Sequence, residues 1–106
     1  MMDKRAVFLE WLKQRGIENL ELWLEEFELA ENGMEKAMIK VALLYKQYEF
    51  FEGMYDLLIA ASEHKNSEAM YEVANCYIER LGEKGSEQQA FSLYKTAAQL
   101  GHRDAM

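Results

Sequence analysis

The sequence predicts an all-α domain of stacked helix pairs, and three observations carry that prediction. The first is an internal repeat. Ala37, Val41, Ala42 and Tyr45 recur 32 positions later as Ala69, Val73, Ala74 and Tyr77. Gly53, Leu57, Ala60 and Ala61 recur 37 positions later as Ala90, Tyr94, Ala97 and Ala98, so the second copy carries five extra residues between its halves. A period in the thirties with small residues at fixed places signals helix pairs that each need a neighbour to bury an apolar face. The second is the absence of proline amid an excess of strong helix formers. The third is that half of the 106 residues are apolar, which argues against disorder and supplies a core for one domain without staples.

Each element has its own signals. Residues 3–14 read as a first helix, with Asp3 as cap and Phe8, Trp11 and Leu12 on one face, broken by Gly16. Residues 17–31 read as a second, repeating Ile17, Leu20, Leu24 and Phe27. Leu22, Trp23 and Leu29 widen that stripe toward burial on two sides. Asn32 and Gly33 end it in a left-handed turn. The third helix places Met34, Ala37, Met38, Val41, Ala42, Tyr45 and Tyr48 on its core side. The fourth carries Phe50, Phe51, Met54, Leu57, Leu58 and Ala61. Ser67 is the expected cap of the fifth helix, which presents Met70, Val73, Ala74, Tyr77 and Ile78. After a breaker-rich loop at 81–85, Ser86 caps the sixth, with Ala90, Phe91, Tyr94, Ala97 and Ala98 facing inward. Gly101 stops it, and 102–106 reads as the first turn of a further helix. A fainter echo relates Ala30, Gly33 and Ala37 to Ala98, Gly101 and Ala105, so 1–33 reads as a degenerate first pair before repeats at 34–66 and 67–101.

Charge is distributed unevenly. Residues 16–35 contain Glu18, Glu21, Glu25, Glu26, Glu28, Glu31 and Glu35 with no Lys or Arg. Those seven account for the whole formal charge of −7, because 12 acids and 12 bases remain elsewhere. An acidic helix on a neutral body disfavours nucleic acid and anionic membranes, which both require a basic surface. Cys76 is the only cysteine, so no intramolecular disulfide forms. No stretch approaches the roughly 20 apolar residues of a membrane span, and a reducing, cytoplasmic setting is expected.

Residues 69–105 resemble the Sel-one-like repeat, a branch of the tetratricopeptide superfamily. The resemblance lies in Ala69, Val73, Ala74 and Tyr77, then Gly82, then Ala90, Tyr94, Ala97, Ala98, Gly101, His102 and Ala105. The closing Ala-Ala-x-x-Gly-His run is its most specific part. The family often has Leu-Gly where Val73 and Ala74 stand, and its Gly-x-Gly-Val turn survives only as Gly82 and Gly85. Residues 37–68 lack the inner loop and the Gly-His ending. The resemblance implies a right-handed α-α solenoid of about three helix pairs, serving as an adaptor between proteins.

Candidate chemistry is sparse. His64, His102 and Cys76 lie 12 or more residues apart without metal-ligand spacing, so no metal and no cofactor is expected. Cys76 reads as a packed thiol. Nothing supports an enzyme: no nucleophile–base constellation, no phosphate-binding glycine loop, and carboxylates that read as a solvated helix face. In tetratricopeptide-like solenoids the first helix of each pair lines a groove. That geometry selects Lys36, Ile39, Leu43 and Lys46 on the third helix, and Glu68, Tyr71, Asn75 and Ile78 on the fifth. Such a mixed lining suits a peptide. Glu21, Glu25 and Glu28 form a second candidate surface for a basic partner. The expected function is therefore a non-enzymatic protein–protein adaptor. The alternative is a small inhibitor or immunity protein that docks tightly on a toxin or effector. An uncapped sixth helix would also invite self-association.

Overall fold

Helix boundaries follow from how each turn satisfies its backbone groups. The computed structural model describes residues 3–102. It contains α1 (Lys4–Gln14), α2 (Leu20–Glu31), α3 (Glu35–Gln47), α4 (Phe51–Glu63), α5 (Ser67–Ile78) and α6 (Glu87–Gln99), with a short 3₁₀ turn at Leu81–Glu83 before α6. No strand occurs among the described residues. The expected further helix at 102–106 falls outside them, except for His102.

The caps correct two expected starts. The second helix begins at Leu20 rather than Ile17. The Ile17 N–H turns back to Leu12 O at 3.1 Å to close α1, and Asn19 adopts a left-handed φ of 60°. Asn66, not Ser67, caps α5: its Oδ1 accepts from the Ala69 N–H at 2.9 Å, while its Nδ2 donates to Glu35 of α3 at 2.8 Å. Ser86 caps α6 as expected, in a reciprocal pairing with Gln89. Gly33 and Gly101 adopt φ of 88° and 95° and close α2 and α6 with the same pair of bonds. In α2 these run to Ala30 O and Leu29 O, and in α6 to Ala98 O and Ala97 O. The echo between 30–33 and 98–101 is thus a shared helix stop. Glu49 and Lys65 take that left-handed place at the ends of α3 and α4 without glycine, at about 1–2 kcal/mol each.

The structure also changes the repeat register. α4 and α6 begin at Phe51 and Glu87 and end at Glu63 and Gln99, so both boundaries lie 36 positions apart, not 37. Burial agrees: Met54 pairs with Ala90 and Ala61 with Ala97, all fully buried. The sequence match of Gly53 with Ala90 is therefore one residue out of phase. The adjacent alanines Ala60–Ala61 and Ala97–Ala98 match fully only at 37, which draws the sequence alignment to that offset. In the first helix of each pair the offset of 32 holds, with Ala37 and Ala69, Val41 and Val73, and Ala42 and Ala74 all buried.

Each helix packs on the one before it and the one after it, an arrangement compatible with a helical repeat. The odd-numbered helices also touch one another. Phe8 and Trp11 of α1 meet Tyr45 of α3 at ring-centroid distances of 6.0 and 5.0 Å. α3 and α5 are tied near their starts by Glu35 and Asn66, and near their ends by Lys46 and Glu79 at 3.8 Å. They therefore run side by side in the same direction. The chain measures 38 × 26 × 25 Å with a radius of gyration of 14.2 Å, slightly above the roughly 13 Å of a globular chain this long. Leu12, Met54 and Leu58 are fully buried and each stabilises the fold by about 1.5–3 kcal/mol.

Several apolar residues lie elsewhere than expected. Leu22 is 61% exposed and does not widen the buried stripe of α2, which is Leu24, Phe27 and Ala30 with Trp23 and Leu29 packed partly buried beside it. Met34 and Tyr48 are exposed because they cap α3 and so leave the helical path. Phe91 is 61% exposed, since α6 buries only Ala90 and Ala97 and packs chiefly against α5.

Candidate interaction surfaces

The α3–α5 face follows from the parallel run of these two helices. Leu43 is 36% exposed and Ile78 38% exposed, giving the face apolar contact points at both helices. Lys36 and Glu68 are exposed at its start. Lys46 crosses to Glu79 near its end, an exposed pair worth at most about 1 kcal/mol. Ile39 is the correction: it is only 3% exposed and belongs to the core. α3 turns Ile39 toward its neighbours and leaves Lys36, Lys40 and Leu43 as its outward stripe, so Ile39 offers nothing to a partner.

On α5, Tyr71 is half-buried between the Tyr94 ring at 5.7 Å and the His102 ring at 4.6 Å. The Tyr94 hydroxyl donates to Asn75 Oδ1. That bond engages the Asn75 carbonyl, and the two amide hydrogens of the same side chain remain donors. The sequence places Tyr94 on the inward side of the sixth helix, but its bond to Asn75 depends on α6 lying against α5. Glu72 sits beside these rings, and burial pushes its carboxyl above the ordinary glutamate value. Glu68 and Glu79 push the same way, while Lys46 and His102 oppose.

The acidic helix presents Glu21, Glu25 and Glu28, all exposed, at helical spacing on the outer side of α2. Arg5 of α1 donates to Glu28 at 2.8 Å, and Lys40 of α3 to Glu26 at 3.3 Å. No such partner is found for Glu21 and Glu25 among the described residues.

A third feature has no counterpart in the sequence reading. Phe8, Trp11, Phe27, Tyr45 and Phe50 gather where α1, α2, α3 and the start of α4 meet. Phe8 stacks on Phe27 at 4.5 Å, and Tyr45 meets Phe50 edge-on at 4.8 Å. Together with Lys4, Val7 and Glu31 they wall a hollow of about 360 Å³. A neighbouring depression shares Lys4, Phe27, Glu31, Tyr45 and Phe50 and adds Gly53 and Asp56 of α4. The Tyr45 hydroxyl is pushed up to about 12, first by burial and then by the Glu31 charge. Gly53 permits this gathering. A Cβ there would lie 2.5 Å from Phe50 Cε2 and 2.9 Å from Tyr45 Cδ2.

Of the remaining candidates, Cys76 is a packing group and His64 is exposed. Cys76 is fully buried with its Sγ 3.7 Å from Met54 Sδ, and burial raises its thiol to about 11. A thiol held there is neither a thiolate nucleophile nor an exposed one. His64 is the C-cap of α4. Among the described residues no group of three or more His, Cys, Asp or Glu could hold a metal ion. No helix among them is long and apolar enough to cross a membrane.

In comparisons with known proteins, no family model, no curated protein and no solved structure matches this chain.

Proposed function

We propose that this chain is a short, right-handed α-solenoid of Sel-one-like type that acts as a protein–protein adaptor, not as an enzyme. The observation that carries the reading is the α3–α5 face. Two parallel helices there expose Leu43 and Ile78, and α5 adds a partly buried Asn75 whose carbonyl is already used by Tyr94, leaving its amide as a spare donor. An extended segment laid along such a face gains apolar contact from the leucine and isoleucine, and a backbone hydrogen bond from the asparagine. Its expected occupant is a peptide or protein surface, with neither nucleic acid nor membrane as a partner.

The test is partner capture by wild type, Leu43→Asp and Tyr71→Ala, with circular dichroism to show that each variant remains folded. Both variants are expected to lose the partner that wild type retains. If both bind as wild type does while Glu21→Lys combined with Glu25→Lys fails, the α3–α5 face is not the binding surface.

The exposed acidic stripe of α2 favours a second reading, a small inhibitor or immunity protein seated on a basic site. A one-to-one complex whose association rate falls steeply with salt would favour it over the adaptor.

A further inference from the structure

We propose that the aromatic hollow between α1, α2 and the start of α4 is a receptor for one arginine side chain of a partner protein. This site is separate from the α3–α5 face, so its test does not depend on that reading.

Five aromatic rings form the walls: Phe8, Trp11, Phe27, Tyr45 and Phe50. Ring faces carry negative potential, and a guanidinium brought within about 6 Å of a ring centroid is attracted to it. One such contact already exists outside the hollow's lining, where Arg15 occupies a face of Trp11. The Arg15 guanidinium carbon lies 4.2 Å from the Trp11 centroid.

The rim completes the recognition. Glu31 and Asp56 line the hollow and its neighbouring depression, against the single cation Lys4. Glu31 carries its charge beside the aromatic wall, and the Tyr45 hydroxyl there is raised first by burial and then by that charge. Planar guanidinium suits this combination better than ammonium does, because it can lie flat on a ring and present paired N–H groups to a carboxylate.

Lys4 stands in for the guest. Its ammonium is 3.4 Å from Glu31 Oε2, yet its side chain is 79% exposed, so it closes the mouth loosely and can be displaced. Glu21, Glu25 and Glu28 lead along the outer side of α2 toward Glu31, one turn apart. That stripe draws a basic partner toward the mouth. A partner carrying an arginine on a basic surface is complementary to both features.

The experiment uses the full chain and two short probes, acetyl-Gly-Arg-Gly-amide and the same tripeptide with citrulline, which keeps the shape of arginine without its charge. The two tryptophan indole N–H signals in ¹H–¹⁵N spectra are assigned with Trp23→Phe. The arginine probe is expected to move the Trp11 signal saturably, with the citrulline probe about tenfold weaker. Glu31→Gln and, independently, Asp56→Asn weaken arginine binding, while Lys4→Ala strengthens it by removing the resident cation. Equal binding of the citrulline probe would overturn the proposal. So would a Trp11 signal that the arginine probe leaves unmoved in both wild type and Lys4→Ala.

Discussion

Replacing Gly53 by alanine sets two opposed effects against each other. Alanine favours the interior of α4 by about 1 kcal/mol over glycine. The new Cβ, however, would lie 2.5 and 2.9 Å from two Phe50 ring carbons and 2.9 Å from Tyr45 Cδ2. Carbon atoms settle at about 3.5–4.0 Å, so each ring must retreat by roughly 1 Å. Phe50 is partly exposed and can swing outward. Tyr45 is buried and meets Phe8, Trp11 and Phe50 at 6.0, 5.0 and 4.8 Å, so its retreat disturbs three contacts at once. Overpacking of this kind costs about 1–3 kcal/mol. The expected net is a loss of about 1 kcal/mol, read as a fall in Tm of about 4 °C or more in thermal melts followed by far-ultraviolet circular dichroism. In a Phe50→Ala background two of the three close atoms are gone. There the same Gly53→Ala change is neutral, or stabilising by up to about 1 kcal/mol. An equal rise in Tm in both backgrounds would refute the reasoning, because helix propensity alone would then account for it.

Met54→Ala removes a fully buried side chain from the α4–α5 contact, and urea unfolding should report a loss of about 2–5 kcal/mol. A loss below about 1 kcal/mol would mean that the site collapses around the gap. Cys76 should resist an aromatic disulfide reagent in the native state and react promptly in urea, since its thiol is buried and raised to about 11; fast native labelling would contradict this placement. Glu72→Gln tests the raised carboxyl. A raised folded pKa means that the native state keeps the proton where the unfolded chain has lost it. Its stabilising share is therefore present at low pH and lost as pH rises through the folded value. The Gln variant should melt above wild type at pH 7, and the gap should close as pH falls below the ordinary value of 4.5. A gap of the same size at both pH values would assign the effect to packing instead.

Much of the helical plan was legible because it is local. Gly16, Gly33 and Gly101 stop helices as their sequence positions indicated, and Ser86 caps α6 with Gln89 three residues on. The sequence indicated breaks near Glu49 and at 64–66, but not the left-handed turns of Glu49 and Lys65, because no local preference marks a glutamate or lysine for them. Asn66 displaced Ser67 as cap because it also reaches Glu35, 31 residues away. The surface residues divide along the same line. Exposure of Glu21, Glu25 and Glu28 follows from helical spacing within one segment. Ile39 shares its helix with Leu43, and only the position of the neighbours decided which of the two is buried.

By itself, the order of residues determined the helical class, the sites of most breaks, the alanines at the first helix of each pair and the concentration of acid on α2. These depend on spacing along one chain segment, where 3.6 residues per turn converts sequence into faces. Tertiary packing alone decided the true repeat register, the exposure of Leu22 and Phe91, the bond from Tyr94 to Asn75, and the gathering of five aromatic rings from four segments around Glu31. Each of those depends on how far one helix slides and turns against the next, and that is fixed by side-chain volumes meeting across a contact.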